Sequence, residues 1–214
     1  MIKLIALFTM TIDHVGAILY PSELALRIVG RLSFPLFCYL IVLGLESTRS
    51  ATRYFARLLL FAFISQVPYY LAFGYGPLDS LNIFFTLALG VLFLRLLFPL
   101  RMRSLLSIFP ILLSSILPFD YGWYGIMLIG CMYLLRKDAL LGVLALILVN
   151  ILFLPVSAIQ VLSLFSVPIV LMHNGGALRI ETEIKEKSAY SSLIKYFFYV
   201  YYPLHLSLLY LIGL

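Results

Sequence analysis

Charge is scarce in this chain. Lysine and arginine number 15 and aspartate and glutamate 9, so only 11% of the 214 residues are charged. A soluble domain carries about 25%, so a water-facing globular fold is excluded. A nucleic-acid-binding protein is excluded with it, because the net charge of +6 is spread over short loops and forms no basic patch. Cysteine is limited to Cys38 and Cys131, both inside apolar runs, which speaks against a disulfide framework. No Gly/Ser/Pro-rich linker and no internal repeat divides the chain, leaving one domain over residues 1–214. No metal site is indicated, since His14, His173 and His205 form no spaced ligand cluster with the cysteines.

What the chain has instead is apolar length. Hydrophobic residues make up 64% and the mean hydropathy is +1.10. At about 20 residues per crossing, the length allows eight to ten membrane spans. Apolar runs fall at about 2–20, 22–45, 52–73, 81–98, 104–118, 121–135, 139–154, 157–172 and 192–213. Pro35, Pro68, Pro110, Pro168 and Pro203 lie inside these runs and predict kinks. The first run contains Asp13 and His14 and no small-residue cleavage site, so it reads as a retained helix and not as a signal peptide. The expected fold is all-α, a polytopic bundle of about nine transmembrane helices in the plasma or inner membrane.

Loop charges give the orientation. Arg49 and Arg53, Arg101 and Arg103, Arg136 and Lys137, and Arg179, Lys185 and Lys187 follow the even-numbered runs, while Glu23, Asp79 and Asp120 follow odd ones with no lysine or arginine. The positive-inside rule puts the N-terminus in the cytoplasm and the C-terminus outside.

Polar residues inside the apolar runs are the functional candidates, because a charge at membrane depth costs roughly 2.5–3.5 kcal/mol and usually faces a partner or a cavity. By helical rise, His14 lies roughly 18 Å and His205 roughly 20 Å from the cytoplasmic ends of their helices, and Arg31 roughly 12 Å below the outer end of the second. Gln66, Asn82 and Thr86 come out at or above the same level. Asp13 points about 100° away from His14 and cannot simply pair with it. Arg27 and Arg31, four apart on one face, repel unless an anion lies opposite; Asp13 can supply one. The tyrosines at 196, 199, 201 and 202 and the run Asp120-Tyr121-Gly122-Trp123-Tyr124-Gly125 read mainly as packing and an outer aromatic belt.

Several strings together resemble one family. They are the opening from Lys3 through Thr9-Met10-Thr11-Ile12-Asp13-His14-Val15-Gly16, Leu26-Arg27-Ile28-Val29-Gly30-Arg31-Leu32-Ser33-Phe34-Pro35, Ser65-Gln66-Val67-Pro68, Leu81-Asn82-Ile83-Phe84-Phe85-Thr86-Leu87, Tyr121-Gly122-Trp123-Tyr124-Gly125, Asn174-Gly175 and Tyr202-Pro203-Leu204-His205-Leu206. In this order, over nearly the whole chain, they resemble TraX family proteins. The resemblance implies a membrane-embedded acetyltransferase of the kind that acetylates a conjugative pilin N-terminus, akin to the wider transmembrane acyltransferases. In many of that wider group an arginine precedes a first-helix histidine by eleven positions; here Lys3 stands eleven before His14. Two departures are Gln66, where the family often has glutamate, and the longer, charged segment from Gly176 to Ser192.

The activity so implied is acetyl transfer from cytoplasmic acetyl-CoA to an amine or hydroxyl at the outer face, on a peptide N-terminus, glycan, lipid or small amine. His14, Asp13, Arg31 and His205 are the catalytic candidates. Lys3, Arg27, Asn82, Thr86 and Tyr124 are the donor-binding candidates. A proton-coupled transporter built on the same Asp/His/Arg cluster is the alternative.

Overall fold

A computed structural model describes residues 1–97, 102–176 and 189–214. Among these residues the chain forms ten α-helices and no strand: α1 Ile2–Ile18, α2 Leu24–Gly30, α3 Ser33–Ser47, α4 Ala51–Phe73, α5 Ile83–Leu97, α6 Ile108–Ile116, α7 Gly122–Lys137, α8 Ala139–Phe153, α9 Ser166–Asn174 and α10 Ala189–Gly213. Arg101, Arg179, Lys185, Lys187 and most of the 176–192 segment lie outside the described residues. The expectation of an all-helical fold holds. Two stretches, Leu24–Ser47 and Ala51–Phe73, are long and apolar enough to cross a membrane by length and composition.

Three of the expected spans are not single α-helices, and proline explains each. Pro35, Pro110 and Pro168 all stand third in their helices, α3, α6 and α9. A proline has no N–H for the carbonyl four residues back but fits the first turn, where that N–H has no helical partner. The chain therefore ends α2 before α3, and enters α6 and α9 through 3₁₀ turns at Met102–Ser107 and Ala158–Phe165. Pro68 and Pro203 remain inside α4 and α10.

The packing brings the ends of the sequence together. Helix α1 lies against α2, α3 and α10, while α4 lies between α10 and α5. Helix α7 packs on α3, α5, α6 and α8. Close approach of α2 to α1 requires Gly30, because a Cβ there would fall inside the Asp13 carboxylate. The loop before α7 is pinned to the start of α5: the Leu81 N–H donates to the Pro118 carbonyl at 2.8 Å, and the Asp120 N–H donates to the Leu81 carbonyl at 2.9 Å. That loop ends at Tyr121, whose φ of 62° lies in the left-handed region uncommon for a residue with a Cβ.

Candidate active site

The break between α2 and α3 puts Arg31 at a bend, facing α1. There it meets the expected anion. Asp13, 7% exposed, takes Arg31 Nη2 on both oxygens at 2.6 and 2.8 Å. Arg27 Nη1 reaches the same carboxylate at 3.0 Å and the Asp13 carbonyl at 3.0 Å. The like-charge pair foreseen on one helical face is thus held by one carboxylate between its members. Arg31 spends its other donors on the Arg27 carbonyl (3.3 Å), the Tyr121 hydroxyl (3.3 Å) and Gln160 Oε1 (3.2 Å). All three nitrogens of this guanidinium are engaged, which ties four neighbours, Asp13, Arg27, Tyr121 and Gln160, to one another.

His14, the next residue on α1, turns to the other side and meets α10. Its Nδ1 lies 2.6 Å from His205 Nε2, and the ring planes are within 6° of parallel, with centroids 4.9 Å apart. His205 Nδ1 lies 2.9 Å from the Tyr201 carbonyl oxygen. A carbonyl only accepts, so in the neutral ring Nδ1 carries the proton and Nε2 is the acceptor. His14 must then donate from Nδ1, which leaves Nε2 of neutral His14 with its lone pair free. The network assigns the tautomers of both rings. One turn earlier the seam is closed by a 2.7 Å hydrogen bond between Thr11 and Tyr201 hydroxyls.

Asp13, His14, Arg27 and Arg31 line a cavity of about 1040 Å³; His205 sits behind His14. Around His14 the wall is aromatic: Phe73 and Tyr202 stand edge-on to its ring at 5.7 and 5.9 Å, and Tyr69 and Tyr75 pack on Phe73. The cavity runs on to the opposite helix ends, where Lys3, Arg57, Arg136 and Glu46 line it. Arg57 sits over the rings of Tyr54 and Tyr199, and Lys3 over Phe198. Glu46 is engaged by Arg136 and Lys137 at 3.3 and 2.7 Å, whereas Lys3 and Arg57 make no salt bridge among the described residues.

The remaining donor-binding candidates fall elsewhere. Asn82 is fully buried and ties α5 to α4, donating to the Ala62 carbonyl (2.7 Å) and Gln66 Oε1 (2.8 Å). Thr86 donates to the Asp120 carbonyl at 2.6 Å. The Tyr124 hydroxyl sits with Asn150 and Ser163 at 3.3 and 3.2 Å. None of the three lines the cavity; each joins helices where a lone polar group in an apolar core needs a partner. Gln66 also works as an amide: its Nε2 donates to the Pro77 and Ser80 carbonyls while Oε1 accepts from Asn82. A glutamate cannot make both sets of bonds.

Three lining residues were not singled out in the sequence. Gln160, a lone amide in an apolar run, carried the signal of polarity at membrane depth. Asp120 and Tyr202 did not, since each sits among aromatic neighbours that read as belt and packing. Asp120, in the loop between α6 and α7, lines the cavity without a salt bridge among the described residues. Burial pushes its carboxyl up to about 7, against the opposing pull of Arg31.

No solved structure matches this chain. It is 33% identical over 144 residues, 58% of its length, to the "Probable fimbrial assembly protein FimC, serogroup H1" of Dichelobacter nodosus. A shorter stretch of 39 residues, 18% of the chain, is 46% identical to an uncharacterised protein of Rickettsia prowazekii. The matched stretches span 57% and 16% of those relatives' own lengths. The family described as TraX protein matches residues 1–213. With the Asp13–Arg31 and His14–His205 pairs in place, the sequence strings and this match agree: the chain belongs to the TraX family.

Proposed function

We propose that this protein is an integral membrane acetyltransferase that moves an acetyl group from cytoplasmic acetyl-CoA to an amine or hydroxyl at the outer face. The observation that carries the reading is the His14–His205 pair: a histidine on the cavity wall, its tautomer set from behind, with Nε2 free to take a proton. That is the arrangement of an oriented general base. The family match and the fimbrial name of one relative support a pilin-type acceptor, an exposed peptide amine.

The ten α-helices group into nine apolar segments once α2 joins α3 and the 3₁₀ turns join α6 and α9. We read these as nine crossings with the N-terminus inside, as the loop charges require. Lys3 and Arg57 then face the cytoplasm at one mouth, where donor phosphates meet cations without carboxylate partners. Lys3 and His14 are about 16 Å apart along α1, a span for the pantetheine arm. Asp13, Arg27 and Arg31 act as a charged brace that holds α2 and the Tyr121 loop against α1.

Acetyl transfer runs as follows. The acceptor lone pair bonds to the thioester carbonyl carbon and the carbonyl π pair moves onto oxygen. His14 Nε2 takes the acceptor proton, and its imidazolium is stabilised by His205. Collapse of the intermediate breaks the C–S bond, and the sulfur leaves with the proton from His14 as the thiol of CoA.

The test is acetyl-CoA binding and CoA-thiol release by purified protein in detergent. Wild type should bind and release thiol, and His14→Ala should bind while releasing it about 10²-fold or more slowly, the usual worth of a general base. A cavity that runs between opposite helix ends also suits a proton-coupled carrier. If folded wild type binds no acetyl-CoA, the acetyltransferase reading fails and the carrier reading takes its place.

A further inference from the structure

An acyl-transfer site needs a hydrogen-bond donor where charge develops on the carbonyl oxygen. Arg31 is turned to Asp13, Tyr121, Gln160 and the Arg27 carbonyl, and its guanidinium is held there by all three of its nitrogens. Arg27 spends Nη1 on Asp13, and its side chain, 31% exposed, is the less buried of the two arginines. Among the described residues, Tyr202 is the ring neighbour of His14 whose own donor is uncommitted. Tyr202 is 4% exposed, lines the cavity and sets its ring against His14. Among the described residues its hydroxyl has no hydrogen-bond acceptor, and the backbone N–H of Ile83 that approaches it can only donate. The phenolic proton therefore has no acceptor. A buried hydroxyl left so is unfavourable, and an acceptor that reaches it from the cavity side relieves that cost.

We propose that Tyr202 is the oxyanion donor of the acetyl transfer: its hydroxyl hydrogen-bonds the acetyl carbonyl oxygen as that oxygen gains charge. The inference rests on the acetyltransferase reading and adds a catalytic residue to it. Tyr202 keeps its proton throughout; the acceptor's proton passes to His14 and then to the leaving sulfur. The placement fits the chain as well. Tyr202 and His205 are three apart on α10, on neighbouring faces of one turn, so the helix that orients the base also carries the donor. The ring of Tyr202 is held from its other side by Phe84, 5.1 Å away.

The test is Tyr202→Phe, which keeps the ring and removes only the hydroxyl. CoA-thiol release from acetyl-CoA is followed with water or trialanine as acceptor, beside acetyl-CoA affinity and the pH profile. The expected result is a fall of about 10²-fold in kcat, the size seen when one oxyanion donor is removed, with acetyl-CoA affinity and the pH of half-maximal rate unchanged. A rate within about twofold of wild type overturns the proposal and leaves Tyr202 as packing. A fall in rate with a displaced pH profile overturns it too, because the hydroxyl would then act by way of His14. If Tyr202→Phe is misfolded, 3-fluorotyrosine at 202 keeps the fold and hydroxyl while making the phenol more acidic; a rate unaltered by it overturns the proposal. Wild type that releases no thiol brings down the parent reading and this inference together, whereas active wild type with an equally active Tyr202→Phe brings down this inference alone.

Discussion

Two clusters of the same charge pattern stand at opposite ends of the cavity. At each, one carboxylate is held by two cations: Asp13 by Arg27 and Arg31, Glu46 by Arg136 and Lys137. Their surroundings differ. The Asp13 and Arg31 side chains are 9% and 8% exposed, with Arg27 at 31% beside them, and those of Glu46, Arg136 and Lys137 are 29%, 27% and 53% exposed. A buried pair has given up hydration and depends on its partner, so removing one side leaves a bare charge in the interior. An exposed pair gains little because water and salt replace it. The Asp13–Arg31 pair is buried in the wall; the Glu46 cluster is a tether at the rim.

Substitutions can break this contrast or sharpen it. Asp13→Asn should be the most damaging, since it leaves Arg27 and Arg31 facing each other without an anion. We expect a loss of about 3–5 kcal/mol, roughly 10 °C or more in the melting temperature in detergent. A shift no larger than that of an exposed pair would show that water reaches the inner cluster freely.

Asp120 extends the comparison to a carboxylate on the same wall that makes no salt bridge among the described residues. Its carboxyl is raised from the ordinary 3.8 to about 7, with burial the largest cause. For a raised carboxyl, the stabilising contribution is complete below pH 4 and is lost as pH rises through about 7. Asp120→Asn removes that loss. The melting temperature of the variant relative to wild type should therefore climb between pH 4 and pH 8. A constant difference over that window would mean that Asp120 titrates normally.

Glu46→Gln should do least. Partly exposed and salt-screened, its pairs are worth at most about 1 kcal/mol, about 2–4 °C for a chain of this size. The shift should shrink further in high salt.

Much of the inner cluster is legible in the sequence. Asp13, His14, Arg27, Arg31 and His205 are polar groups in apolar runs, and helical spacing makes an anion opposite the two arginines a requirement. The same signal selects Asn82 and Thr86, which are struts between helices, because polarity at depth marks a need for partners without saying whether a side chain or a ligand supplies them. Tyr124 enters through the family motif and is a strut as well. Asp120 and Tyr202 are hidden for the converse reason: aromatic neighbours in sequence give them an ordinary context, and only the fold turns them toward the cavity. The helix breaks before Pro35, Pro110 and Pro168 are foreseen as kinks. Their depth is not, because a proline's position within a run does not reveal whether the upstream chain stays α-helical or tightens to 3₁₀.

Sequence alone determined the class of the protein, the apolar segments, the helical fold and the short roster of groups that must be satisfied inside it. These follow from composition and from the 3.6-residue period, which are local properties of the chain. Tertiary structure decided the pairings: Asp13 with Arg31 across 18 positions, His14 with His205 across 191, and the turn of Tyr202 toward His14. A helix fixes the depth and the face of each side chain, but which face meets which is settled only by packing, and that packing turned a list of polar residues into pairs with the ring protons of both histidines placed.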